Sequence, residues 1–402
     1  MKEFDLSVSE SDWADIRAEY LKDPEEIYLN TGSWGVQPRP VFEKYTHLLR
    51  ELELNPTRGR GPLREELGDS RRTFADFLNI QAQDIAFLPN VTAAINLVVN
   101  GMRWESGDQI LTTDQEYGAV LNCLHNATVR WGVELVTAQI DIPPSRPDDI
   151  LKPLEAAITP RTKLIVVSHI TTGTGMITPI REISDLAHRH GVLVAYDGAH
   201  APGMIHTDLE ASGADFYGGN CHKWLCSPKG VGFLYANPAV QELLRHLIVS
   251  WGYSKEGMKQ AEERPEINGS PAMYGFEAWG TTDLAGQAAV GEAVRFQQQI
   301  GVKEIEQRGR DLSAHVRERV ADLSWMRVRS PSTDGMFGSI TTCEMDGMGG
   351  KGLGDTLYRD HRITIPVFEE GDDAAVRVST HLYNTFEEVD KLFDVLIDQK
   401  GS

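Results

Sequence analysis

The 402-residue chain has only four cysteines, Cys123, Cys221, Cys226 and Cys343. So few cysteines in so long a chain exclude a disulfide framework as the source of stability. Cys221, His222 and Cys226 lie close enough in sequence to raise the alternative of a metal site. Four residues separate the two cysteines, however, which is outside the usual zinc spacing, and no second Cys/His pair with suitable spacing follows. The sequence therefore predicts no metal.

Basic residues are also scarce, with 39 Lys and Arg against 59 Asp and Glu and a formal net charge of −20. Nucleic-acid binding depends on phosphate neutralisation by cationic side chains, so this balance argues against a nucleic-acid partner. The chain has no apolar run of the roughly 18 residues that a bilayer-spanning helix needs. Its first residues, "MKEFDLSVSE", lack a basic-then-apolar signal pattern. We expect a cytoplasmic protein with no membrane partner.

Short β-rich runs alternate with helical patterns between about residues 85 and 235. The runs are almost wholly apolar, as expected when helices cover both faces of a mostly parallel sheet. After about residue 285, long helical patterns precede three further β-rich runs. The sequence therefore predicts an α/β fold. We expect a large three-layer domain around a mostly parallel sheet over 28–285, and a smaller α+β domain formed by 1–27 and 286–402.

Polar residues of catalytic type follow the predicted strands, where ligands bind in an open α/β sheet. Asp197 ends one apolar run and His200 comes three positions later in "DGAHAPG". Thr172 follows the run "LIVV", and Tyr117 follows "ILTTDQE". These residues are therefore candidates for one shared site.

Two further features complete this set. Asn90 and Thr92 open an apolar helix, whose free N–H groups and dipole form a natural phosphate seat. Lys223 lies 26 positions after Asp197, within the glycine-rich stretch "DFYGGNCHKWLCSPKG". A phosphate seat, a strand-end carboxylate and a lysine together indicate pyridoxal 5'-phosphate (PLP) as the cofactor.

Each residue has a physical role in such a site. Lys223 would hold the cofactor aldehyde as a Schiff base and later move protons as a free amine. Asp197 would pair with the pyridine nitrogen and keep it protonated, because a nearby anion favours the charged form. Tyr117 would stack on the ring. The phosphate donors would come from Thr92, Ala93, Asn220 and His222.

Each residue taken alone has a commoner explanation. A strand-end aspartate is most often a cap or turn residue, and a lysine is most often on the surface. A threonine that opens a helix usually only caps it. It is the order of these residues on the right elements that favours the cofactor site.

Longer stretches match a known family. They include "YLNTGSWG" (28–35), "LPNVTAAINLV" (88–98), "DGAHAPG" (197–203), "HKWLCSPKGVGFLY" (222–235) and "VRVSTHLYNTFEEVD" (376–390). Through them the chain resembles the class V, fold-type I PLP enzymes, a group that includes the cysteine desulfurases. Within that group it is most similar to the isopenicillin N epimerases.

The resemblance implies roles that the residues alone do not. Arg377 would clamp the α-carboxylate of an amino-acid substrate, a bidentate task suited to arginine; without the resemblance, an ion pair on a strand surface is the simpler explanation. Thr281 would reach the phosphate in the neighbouring subunit, which implies a homodimer with active sites at the subunit interface. Substrate-pocket roles fall to Asn30, Thr31 and Gly32, and His200 and Thr172 would contact the cofactor.

The reaction stays open at the sequence level, because Lys223 can serve several outcomes once the α-proton has left. Epimerisation comes first, followed by C–S cleavage of a cysteine conjugate or its sulfoxide, then transamination or desulfuration. No cysteine lies between Cys343 and Arg377, where a desulfurase would carry its mobile sulfur acceptor. A non-enzymatic regulator is the least favoured alternative, because no DNA-binding segment is present.

The stretch "NPTRGRGPLREE" (55–66) is the candidate for side-chain recognition. It carries Arg58, Arg60 and Arg64 in a glycine-rich segment bounded by prolines. These arginines either form a solvated basic loop or meet the distal carboxylate of an acidic substrate.

Overall fold

A computed structural model describes residues 10–401 and contains thirteen strands over that range. The strands are β1 (Ile27–Tyr28), β2 (Ile85–Leu88), β3 (Gln109–Thr113), β4 (Glu134–Ala138), β5 (Thr162–Ser168), β6 (Leu193–Gly198), β7 (Phe216–Asn220), β8 (Gly232–Ala236), β9 (Met326–Val328), β10 (Ile340–Met345), β11 (Ile363–Thr364), β12 (Val367–Glu370) and β13 (Asp373–Ser379).

Sixteen α-helices and three short 3-10 turns complete the described range. The helices are α1 (Glu10–Ala18), α2 (Arg39–Leu54), α3 (Arg60–Phe77), α4 (Val91–Gly101), α5 (Gly118–Trp131), α6 (Asp148–Ala157), α7 (Ile180–Arg189), α8 (Leu209–Ser212), α9 (Lys255–Glu263), α10 (Pro265–Asn268), α11 (Pro271–Glu277), α12 (Leu284–Ala288), α13 (Val290–Ile300), α14 (Val302–Ala321), α15 (Leu353–His361) and α16 (Phe386–Lys400). The turns are Ala82–Asp84, Gln241–Leu243 and Trp251–Tyr253.

Seven strands form the central sheet in the order β2-β8-β7-β6-β5-β3-β4. Only β8 runs against its neighbours, since it pairs antiparallel with both β2 and β7 while the other pairs are parallel. The carboxyl ends of β2, β3, β5, β6 and β7 therefore meet at one edge. The prediction of a mostly parallel sheet is confirmed.

Helices cover both faces of this sheet, because successive strand residues contribute to opposite apolar clusters. Ile165 and Val194 pack on one side with residues of α3, α6, α7, α12 and α13. Val166 and Ala195 pack on the other with residues of α4, α5 and α11. The predicted three-layer arrangement follows from this alternation.

A second β unit is formed by the antiparallel sheet β12-β13-β10-β9. It shares an apolar cluster with α14, α15 and α16, in which Val316, Leu357, Val376 and Phe393 are fully buried. The short strand β1 pairs with β11 rather than with the central sheet, and Leu29 joins the same cluster. The chain therefore passes from this second unit towards the central sheet just after β1. The proposed division at residues 28 and 285 stays a prediction.

The four cysteines are all free and buried. Within residues 10–401, no group of three or more His, Cys, Asp or Glu side chains is arranged to hold a metal ion. In the same range, no helix has both the length and the apolar character needed to cross a bilayer.

Candidate active site

The carboxyl ends of the parallel strands open onto a cavity of about 580 Å³. Its walls come from distant segments of the chain, namely the loops after β2, β3, β5, β6 and β7, the segment after β1, and strand β13. Eight residues predicted from the sequence line it: Gly32, Thr92, Tyr117, Thr172, Asn220, His222, Lys223 and Arg377. The fold therefore brings these eight predicted residues together in one cavity.

The start of α4 forms one wall. Asn90 caps the helix through Oδ1, which accepts the Ala93 N–H at 3.0 Å, and Asn220 Oδ1 accepts the Val91 N–H at 2.9 Å. A side chain at Gly232 would place Cβ 2.7 Å from the Asn90 Cα, so only glycine allows the helix start to lie this close to β8.

This wall fits a phosphate, and the predicted donors on it differ in how free they are to donate a hydrogen bond. The cap already uses the Ala93 N–H, whereas Asn220 keeps its amide group for donation because only its oxygen is engaged. His222 Nδ1 donates to the Val231 carbonyl at 2.9 Å, and burial lowers the pKa of His222 to about 4. His222 therefore becomes a second donor only when protonated, a state that a nearby phosphate dianion favours.

Lys223 and His200 lie at the centre of the site. Trp224 Nε1 donates to His200 Nδ1 at 3.1 Å, and an indole nitrogen can only donate. The proton of the neutral imidazole therefore resides on Nε2. This Nε2–H faces Thr172 Oγ1 at 3.1 Å and Lys223 Nζ at 3.4 Å. His200 is thus a hydrogen-bond donor towards the lysine and the threonine.

Burial dominates the electrostatics of this group. It lowers the pKa of Lys223 to about 8, with a further decrease from Arg377 that is opposed by Asp197. Burial, Lys223 and Arg377 together lower the pKa of His200 well below its usual range. The lysine thus loses its proton readily, as a nucleophile towards an aldehyde must.

Asp197 is 2% exposed and lies at the end of β6. Its Oδ1 accepts the Ala199 N–H at 2.9 Å. Burial raises the pKa of Asp197 despite the opposing effects of this N–H and of Lys223. A buried carboxylate in this state is stabilised by a cationic partner, and a protonated pyridine nitrogen is such a partner. The residues present therefore fit PLP.

Arg377 enters the cavity from β13. Its guanidinium donates to neutral oxygens only, through Nη1 to the Thr172 carbonyl at 3.3 Å and through Nη2 to Ser33 Oγ at 3.1 Å and Asn30 Oδ1 at 3.4 Å. Burial lowers its pKa to about 10, and its buried Nε has no partner among the described residues. This geometry differs from an ion pair on a strand surface and leaves Arg377 able to bind a carboxylate.

The remaining predicted residues lie elsewhere. The Thr31 hydroxyl is buried against Tyr383 OH at 2.5 Å. Thr281 and Arg60, together with Arg64, line a second cavity of about 550 Å³. Arg58 lines neither cavity. Their assigned roles stay predictions.

Sequence reasoning missed several residues in and around the site. Ser33 and Trp34 line the cavity, and their signal was their position directly after the predicted pocket residue Gly32. Glu116 is buried beside Tyr117 and accepts hydrogen bonds from Thr113 Oγ1 and Ser168 Oγ, both at 2.7 Å. Burial and Asp197 raise the pKa of Glu116 to about 7. An acidic residue just after a strand was the only sequence signal for it.

Comparison with known proteins places this site in a family. The chain is 35% identical to the isopenicillin N epimerase of Amycolatopsis lactamdurans over 96% of its length and 98% of the relative. The identity, the share of this chain and the share of the relative are the same for the isopenicillin N epimerase of Streptomyces clavuligerus. Among solved structures, a cystine C–S lyase in complex with cysteine persulfide has a TM-score of 0.83 at 23% identity, covering 93% of this chain and 98% of the other. That likeness shows the fold.

The family model for "Aminotransferase class-V" matches residues 27–392. The match spans both β units and every wall of the cavity. The chain therefore belongs to the aminotransferase class-V family of PLP enzymes.

Proposed function

We propose that the protein holds PLP on Lys223 and epimerises an amino acid at its α-carbon. One observation carries the proposal: Lys223 and Arg377 line a single cavity, and Lys223 is in contact with the buried His200. When bound, PLP withdraws electrons from the substrate α-carbon and so makes its proton acidic. Arg377 orients the substrate through its carboxylate, and Lys223 removes the α-proton. Return of a proton to the opposite face of the α-carbon then inverts the centre.

The two epimerase relatives at 35% identity support this outcome. The cysteines argue against desulfuration, which needs an accessible thiolate. Burial raises the pKa of both Cys226 and Cys343 to about 12. Cys343 also lies inside β10, paired with Val376 of β13, where the backbone holds it in place.

C–S cleavage of a cysteine conjugate or its sulfoxide is the second candidate. It begins with the same proton removal by Lys223 and needs no thiol from the protein, so the buried cysteines do not oppose it. Transamination ranks lower because no observation favours it, and a regulatory role lower still.

We also propose that the protein acts as a homodimer. Six large apolar side chains are exposed within the segment 243–253, among them Trp251 at 83% and Val249 at 60%. An exposed apolar patch of this kind marks a protein interface. Thr281 lines the cavity beside this segment, which supports its contact with the cofactor phosphate of the second subunit.

The four free cysteines support a cytoplasmic location, because reducing compartments keep thiols unpaired. The substrate is a small molecule, since the cavity of about 580 Å³ is of the size that amino acids and drug-sized ligands occupy.

Incubation of the holoenzyme with single amino acids in deuterated water tests the reaction. We expect deuterium at Cα together with inversion, measured by mass spectrometry and chiral chromatography. The Lys223→Ala variant serves as control and should give neither. Release of pyruvate and ammonia without inversion would replace epimerisation by C–S or other β-elimination chemistry.

A further inference from the structure

The second cavity, of about 550 Å³, shares no lining residue with the cavity that holds Lys223. Its walls include Arg60 and Arg64 of α3, Trp251, and Thr281. It therefore places two arginines beside the residue proposed to act in the second subunit.

Three other arginines near α3 are ion-paired. Arg71 binds Glu277 at 2.6 Å, Arg264 binds Glu65 at 2.7 Å, and Arg295 binds Asp69 at 3.1 Å. Among the described residues, neither the Arg60 nor the Arg64 guanidinium has an ion pair or a hydrogen bond. Several other arginines of the described range are also unpaired, but these two line one cavity together, so this pair is available for an external oxyanion.

Two acidic residues also line the second cavity, but neither forms an ion pair with Arg60 or Arg64. Glu277 is already committed to Arg71. Glu53 is exposed and forms no ion pair with either arginine. The cavity thus has two unpaired guanidinium groups. A guanidinium group can bind a carboxylate or a phosphate through two parallel hydrogen bonds.

We propose that Arg60 and Arg64 bind the side-chain carboxylate of an acidic amino acid held in the active site of a second copy of the chain. The proposal rests on the proposed function and on its dimer. Because the two arginines line no part of their own Lys223 cavity, they serve a substrate only across the interface. The exposed Trp251 and Val249 mark the face that we assign to the second copy.

A carboxylate and the cofactor phosphate share this oxyanion chemistry. The substrate carboxylate is favoured because the phosphate already has a seat in its own chain, at the start of α4 and Asn220. Removal of the arginines would weaken substrate binding if they bind the substrate carboxylate, and would weaken PLP binding if they bind the phosphate. One experiment therefore distinguishes the two ligands.

The test uses the Arg60→Ala/Arg64→Ala double variant, with Arg72→Ala on the same helix as control. Removal of a carboxylate partner should lower kcat/KM for L-2-aminoadipate about 10-fold to 100-fold and leave that for the neutral L-norleucine unchanged. PLP content should equal that of the wild type. In the Lys223→Ala background, calorimetry should show the same loss of L-2-aminoadipate binding without turnover. Loss of PLP instead would assign the arginines to the phosphate and overturn the proposal.

Mixed dimers decide between the two subunits. A dimer of one Lys223→Ala subunit and one Arg60→Ala/Arg64→Ala subunit contains one intact composite site if the arginines act across the interface. We expect mixing to raise the activity on L-2-aminoadipate clearly above that of either parent. Failure to restore it, while L-norleucine is processed, would overturn this inference alone. Absence of α-proton exchange in the wild type with every amino acid would overturn the proposed function itself.

Discussion

Lys223 and His200 contact each other through Nζ and Nε2 at 3.4 Å, and their protonation states are linked. Since Trp224 donates to His200 Nδ1, the imidazole presents an N–H to the lysine. An ammonium group would oppose one donor with another, whereas a neutral amine accepts the hydrogen bond. The burial that lowers the pKa of Lys223 to about 8 acts in the same direction.

We expect PLP uptake by the apoenzyme to accelerate from pH 7 to pH 9. With a pKa of about 8, the neutral fraction of Lys223 rises from about one-tenth to about nine-tenths, so the rate should rise roughly 10-fold. The measurement is the absorbance change on mixing apoenzyme with PLP. Asp197→Asn should shift the profile to lower pH, because Asp197 raises the pKa of Lys223. A flat profile would contradict this assignment.

Glu116→Gln should stabilise the apoenzyme at pH 8 and have little effect at pH 5. Burial raises the pKa of Glu116 from 4.5 to about 7, so the folded state retains a proton that the unfolded chain loses between these values. Stability therefore falls as pH rises through this window, by about 3 kcal/mol in total.

Urea unfolding of both proteins at pH 5 and pH 8 measures this difference. Glu51→Gln, at an exposed position of α2, is the matched control and should leave the pH dependence unchanged. Equal stabilisation by Glu116→Gln at both pH values would point to packing rather than to ionisation.

At the level of elements, the site depends on how closely the segment after β1 packs against the lysine loop. The Gly35 N–H donates to the His222 carbonyl at 3.0 Å, and the Lys229 ammonium donates to the Gly35 carbonyl. The same segment contains Ser33, whose Oγ accepts a hydrogen bond from Arg377. The segment that follows β1 therefore closes the cavity at the edge of the central sheet.

Gly35→Ala should disrupt this closure. The added Cβ would lie 1.8 Å from the Lys223 carbonyl oxygen and 2.8 Å from Cys226 Sγ, so the backbone of the lysine loop must move. We expect a loss of about 1–3 kcal/mol in the free energy of unfolding and weaker PLP binding, measured by thermal unfolding and by titration. Gly61→Ala, where nothing lies within 4 Å of the added Cβ, should be neutral or stabilising.

For the whole molecule, a strong acidic charge coexists with an apolar segment on the surface. The net charge of −20 keeps copies of the chain apart, whereas the exposed side chains of 243–253 favour association. The proposed dimer would therefore depend on local burial at this segment, which also contributes to the wall of the second cavity.

Val249→Asp should convert the proposed dimer to a monomer and abolish activity, because a charge would be buried at the proposed interface. Val129→Asp is the control, since Val129 is 85% exposed on α5 and lies outside the segment 243–253. Analytical ultracentrifugation and the proton-exchange assay measure the two effects. A fully active Val249→Asp monomer would contradict both the dimer and the role of Thr281.

The sequence by itself determined the α/β class and the cofactor, and it predicted the lysine that would hold this cofactor. Asp197, His200 and Lys223 lie at or shortly after the ends of apolar strands. Parallel strands bring their carboxyl ends to one edge of the sheet, whatever the rest of the chain does. Such residues are predictable because a few residues adjacent in sequence determine both where the strand forms and where it ends.

Only the tertiary structure decided how distant segments share the two cavities. It set the tautomer of His200 through Trp224, brought Ser33 to Arg377, and buried Glu116 between Thr113 and Ser168. It also placed Arg60 with Thr281 rather than with Lys223. Residues 60 and 281 are far apart in the chain, so their meeting depends on the packing of α3 against α12, which no local pattern encodes.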